Sequence, residues 1–135
     1  MLKERKLILI LGVLLAIISI VLRFITSGWL FMFGILSIII FGIMHLVFLL
    51  DILKYYDKLL KSDKIIAWTG VLVFPIIFLF QFDFGDQPGN FYIYEYFTGN
   101  QTSPFKKYAF LIAIIAAFIY IINFIKWRIF VKIYK

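Results

Sequence analysis

The chain has no cysteine, one histidine, three prolines and only seven acidic residues among its 135. Without cysteine there is no disulfide framework, no thiolate metal site, no iron–sulfur cluster and no thiol redox chemistry. The single histidine, His45, excludes bis-histidine haem ligation within one chain. A zinc site would have to draw nearly all its ligands from carboxylates. No metal and no cofactor are expected. Charge of either sign is scarce, at 16% of residues, against ~25% in a soluble domain.

Apolar residues stand in its place. Hydrophobic residues make up 64% of the chain and aromatic residues 21%, and the mean hydropathy is +1.05. A domain of this size cannot enclose so much apolar surface in one core, which excludes a soluble globular protein. It also excludes a disordered chain. The formal net charge of +7 resembles a nucleic-acid footprint. The basic residues flank apolar runs, however, which is how membrane proteins set their orientation, so no nucleic-acid partner is expected.

Four apolar runs approach the length of a membrane-spanning helix. Their continuity argues against a barrel, whose strands would alternate, and a helix satisfies its own backbone in lipid. The expected fold is an all-α integral membrane protein, a single domain over 1–135. Its helices are expected at about 7–26, 29–50 (running on to about 60), 65–82 and 108–126, with an outer loop over 83–107. They would form an up-down-up-down bundle. The first run has a basic start but no A-x-A-like cleavage site after it, so it reads as an uncleaved span. Pro75 inside the third run predicts a kink.

Thr26-Ser27-Gly28 predicts a tight turn. Asp51, Lys54, Asp57 and Lys61 stand three or four apart, which predicts ion pairs along an extended second helix, with Ser62 or Asp63 capping the third.

Lysine and arginine are retained on the cytoplasmic side. Eleven lie in the N-terminal, middle and C-terminal segments, and three (Arg23, Lys106 and Lys107) lie in the alternate set. Both termini and the middle connection are therefore expected in the cytoplasm. Trp29 falls at the outer boundary, and Trp68 and Trp127 near the inner one. The Ile-, Lys- and Phe-heavy usage points to an AT-rich bacterial genome and hence to a bacterial cytoplasmic (inner) membrane.

Two ionisable residues fall within the spans, Arg23 and His45. Intramembrane ionisable groups are functional suspects. Arg23 could bind an anionic group, or simply snorkel to the interface. His45 could shuttle protons, or be a neutral imidazole bonded to another helix. His45 and Asp51 lie six residues apart, about 240° around a helix, so they share no face. The outer loop is dense in aromatics, with Tyr92 and Tyr94 among them, and carries Asp83, Asp86 and Glu95. It could form a lid for a partner or substrate, or lie in the headgroup layer. The spacing of its acids matches no calcium loop.

Ala109, Ala113 and Ala117 recur every four residues. Such a small-residue face suits close helix packing or self-association. No motif carries recognisable chemistry. The expected function is non-enzymatic, through protein–protein interaction in the bilayer, as an accessory subunit of a membrane complex or an immunity-type protein. The alternative is a small oligomeric transporter, flippase or channel.

Overall fold

The structure is a computed structural model that describes residues 2–25, 31–80 and 106–133. All secondary structure among these residues is helical. Helix α1 spans Leu2–Ile25 and α2 spans Phe31–Tyr55. A 3-10 turn follows over Tyr56–Lys58, then α3 over Lys61–Leu79 and α4 over Lys106–Ile133.

Three stretches are long and apolar enough to cross a membrane: Lys3–Ile25, Ile35–Lys58 and Leu111–Ile133. The chain is thus a helical membrane protein. Its third helix, α3, is not one of these three. Its first turn carries Lys61, Asp63 and Lys64, and the described part of its apolar run ends at Phe80.

The helices are inside-out relative to those of a soluble protein. Along α1 the buried stripe is Ile8, Gly12, Ser19 and Arg23, with Leu15 and Ala16 half-buried between them. Steps of three, four and seven keep these residues on one face. Beyond Lys3 and Lys6 the opposite face is apolar and exposed, including Leu7, Ile10, Leu14, Ile17 and Val21. A bilayer tolerates such a surface and water does not. Polar groups are drawn inward instead: Ser19, Arg23 and His45 are each 2% exposed or less.

Helix α3 packs most extensively against α4 and α1, while α2 lies against α1 and α4. Two glycines set the close approaches. A Cβ at Gly12 would lie 2.6 Å from Leu49 Cδ2 and 3.3 Å from Val71 Cγ2, so α1 meets α2 and α3 there with no room for a side chain. A Cβ at Gly70 would lie 2.6 Å from Phe48 Cζ, so the Phe48 ring rests on the α3 backbone.

The core divides in two. One cluster gathers Ile8, Phe48, Ile52, Tyr55, Tyr56, Val71, Trp127 and Val131 toward the charged end. The other holds Phe74, Ile77, Phe78, Ala116 and Tyr120.

Several local expectations are corrected. The second helix ends at Tyr55 instead of running on to about 60. The chain tightens into the 3-10 turn and then extends through Leu59 and Leu60. The N-cap of α3 is Leu60, with no side-chain hydrogen bond, rather than Ser62 or Asp63. The backbone N–H groups of Asp63 and Lys64 donate to the Leu60 carbonyl at 3.1 and 3.2 Å. Helix α1 begins at Leu2 and α4 runs on to Ile133, beyond the apolar runs that predicted them. Helix α3 passes through Pro75, which is buried. Trp127 is a core residue, 1% exposed and 5.1 Å from the Phe48 ring, next to Arg128.

Candidate functional site

Helix α2 carries His45 on its buried face, where α1, α3 and α4 converge. Its Nε2 lies 3.3 Å from the Gly12 carbonyl of α1. Its Nδ1 lies 3.0 Å from the Tyr120 hydroxyl of α4. A carbonyl can only accept, so Nε2 carries the proton and donates to Gly12. Nδ1 is then left to accept, and the Tyr120 O–H donates to it. The neutral ring thus satisfies both nitrogens at once.

Aromatic rings enclose the imidazole. Phe74 of α3 stacks on it at 3.9 Å between centroids and 21° between planes. Phe48 lies 6.2 Å away on the same helix. Tyr120 is itself edge-on to Phe74 at 5.6 Å and to Phe48 at 6.3 Å. One side chain therefore joins four helices, through two hydrogen bonds and a stack. Interhelical hydrogen bonds in membranes average about 0.6 kcal/mol, and an aromatic pair adds about 0.5–1.5 kcal/mol beyond the area it buries.

Beside His45 a groove of about 190 Å³ opens between α1 and α2. Ala16, Ile17, Ile20, Leu46, Leu49 and Phe74 line it. Gly42 leaves it open, since a Cβ there would meet nothing within 4 Å.

Arg23 sits far from this site, near the opposite end of α1 from Arg5. Its side chain is 2% exposed, so it is enclosed by protein instead of snorkelling along the surface. The structure does not bring Arg23 and His45 to a common site. Ala109 and Ala113 are 0% and 7% exposed, and Ala117 packs at the edge of the second core cluster. The small-residue face of α4 is taken up inside the chain. Asp83, Asp86, Tyr92, Tyr94 and Glu95 lie outside the described residues, as do Trp29 and the turn at 26–28. Among the described residues no three His, Asp or Glu side chains gather to hold a metal ion.

The second polar region is the charged end. Asp51 of α2 accepts from Arg128 of α4 at 2.7 Å, and Asp57 of the 3-10 turn accepts from Arg5 of α1 at 2.5 Å. Glu4 of α1 pairs with Lys64 of α3 at 3.4 Å. The acids expected to pair along α2 pair across elements instead. The three bridges gather the N-terminal, middle and C-terminal basic segments at one end of the molecule. His45 and Asp51 serve different partners, as their separate helix faces require.

Tyr120 was not legible as a site residue, because tyrosine inside an apolar run counts as one more aromatic. The available signal was its hydroxyl, a polar group placed mid-span on α4 and in need of a partner. No protein-family model, curated protein or solved structure matches the chain.

Proposed function

We propose that the chain is a non-enzymatic, four-span membrane protein that acts by binding another protein within the bilayer. It would serve as an accessory subunit of a membrane complex or as an immunity-type protein. In this reading α3 is the fourth span, and both termini and the α2–α3 connection lie in the cytoplasm of a bacterium. The positive-inside count supports that orientation, with eleven basic residues on one side and three on the other. The three cross-element ion pairs support it too, since they tie the basic segments to one end.

The observation that carries the functional reading is the occupancy of His45. This intramembrane ionisable residue, the first suspect for transport or acid–base work, has both ring nitrogens committed to the chain's own groups. Its ring is stacked as core. Only 22% of the residues in each spanning window are buried within the chain, so the spans offer broad apolar faces to lipid or to a partner helix.

A second reading, a small oligomeric transporter, flippase or channel, is favoured by the groove at His45. A mild-detergent pull-down from native membranes, sized and identified by mass spectrometry, separates the two. A stoichiometric second membrane protein is expected. A homo-oligomer alone would overturn the proposal and direct attention to transport assays on Arg23 and His45 variants.

A further inference from the structure

We propose that the charged end is a docking surface for the headgroups of anionic phospholipids. The proposal rests on the orientation given above only in grouping the basic segments together, and it is independent of any protein partner. At this end the described residues include ten bases against four acids, Glu4, Asp51, Asp57 and Asp63. The described residues of this end therefore carry a formal excess of six positive charges.

The structure sorts the bases at this end into two classes. Arg5, Lys64 and Arg128 are half-buried and spend their charge on Asp57, Glu4 and Asp51. Lys3, Lys6, Lys54, Lys58, Lys61, Lys126 and Lys132 are exposed, and none belongs to those ion pairs. The bridges use up three of the four acids, so the exposed lysines face outward uncompensated.

Two of these lysines are held together. Lys54 and Lys58 both approach the ring of Tyr55, at 5.5 and 5.8 Å from its centroid. A cation over an aromatic face at this distance is attracted by the ring quadrupole. Tyr55 is 5% exposed, so the ring is a fixed anchor rather than a mobile one. Two ammonium groups drawn to one ring, with their acids already engaged, present a clamp for a phosphate.

The neighbouring surface selects a lipid over an acidic protein. Leu50, Leu53 and Leu60 are 55%, 52% and 65% exposed, interleaved with Lys54, Lys58 and Lys61. Exposed leucine beside exposed lysine at the end of a spanning helix matches acyl chain beside phosphate in one phospholipid molecule. Each lysine near an anionic membrane surface favours binding by about five-fold, and salt weakens this as the Debye length shrinks.

The test uses the full chain, purified and reconstituted in phosphatidylcholine vesicles. Electron paramagnetic resonance measures the association of spin-labelled phosphatidylglycerol against spin-labelled phosphatidylcholine. At low salt the wild-type chain is expected to prefer phosphatidylglycerol by about five-fold or more, and to lose most of that preference in 0.5 M salt. The triple variant Lys54→Gln/Lys58→Gln/Lys61→Gln should lose most of that preference, and Lys106→Gln/Lys107→Gln should keep it. Equal binding of both lipids by the wild-type chain would overturn the proposal, as would a preference left undiminished by the triple substitution. The salt series on the unsubstituted chain decides even if a variant fails to fold. No second protein is present, so neither outcome depends on whether a protein partner exists.

Discussion

The charged end and the His45 site both join helices through polar side chains, but with opposite chemistry. At the charged end the contacts are full ion pairs, and their side chains remain between 14% and 42% exposed. At His45 the contacts are neutral, and the two residues are 2% and 1% exposed. Burying an ion costs several kcal/mol even when it is paired, whereas a neutral hydrogen-bonded ring avoids that cost. Burial within the chain therefore separates the two kinds of polar contact. At these two sites the ion pairs stay partly exposed, while the imidazole and phenol are enclosed.

That contrast can be broken by mutation, and the largest effect is expected where the two regions touch. Phe48 is near both, 6.2 Å from His45 and 5.1 Å from Trp127. Gly70→Ala would drive a methyl group into its ring. Overpacking a filled site costs about 1–3 kcal/mol. Gly42→Ala meets open space, so it should be neutral or stabilise the helix by up to about 1 kcal/mol. Denaturant unfolding in detergent should separate the two substitutions. Equal midpoints would mean that Phe48 does not rest on Gly70.

The next effect is at the His45 site. A double-mutant cycle on His45→Phe and Tyr120→Phe should give a coupling of about 0.6 kcal/mol, with about 1.7 kcal/mol as the upper end. The coupling should be the same at low and high salt, because neither group carries charge. The smallest effect is at the charged end. The cycle Asp51→Asn with Arg128→Gln should give about 0.2–1 kcal/mol and should shrink in 0.5 M salt. A salt-sensitive His45 coupling beside a salt-insensitive Asp51 coupling would reverse the account of the two regions.

The spans were legible because a bilayer demands continuous apolar runs, and those of α1, α2 and α4 are long enough to declare themselves. The end of α2 was not. The spacing of Asp51, Lys54 and Asp57 supports a longer helix locally, but such pairs are worth only about 0.2–0.5 kcal/mol. Arg128 and Arg5, from other helices, take the two carboxylates instead. His45 stood out in sequence as a lone ionisable group in a span. Its partner did not, because Tyr120 lies 75 residues away. A pairing over that distance is fixed by how α2 and α4 pack, and no local pattern encodes it. Arg23 could be recognised as unusual, but its enclosure depends on the helices around it.

The proposed orientation puts the basic segments on one cytoplasmic side, and the absence of cysteine makes that directly measurable. Single substitutions Lys3→Cys, Lys61→Cys, Lys132→Cys and Asn90→Cys would be introduced into the otherwise cysteine-free chain, and intact bacterial cells treated with a membrane-impermeant maleimide. The account predicts labelling at position 90 in intact cells, and at positions 3, 61 and 132 only after the membrane is permeabilised. Labelling of any of those three in intact cells would contradict it.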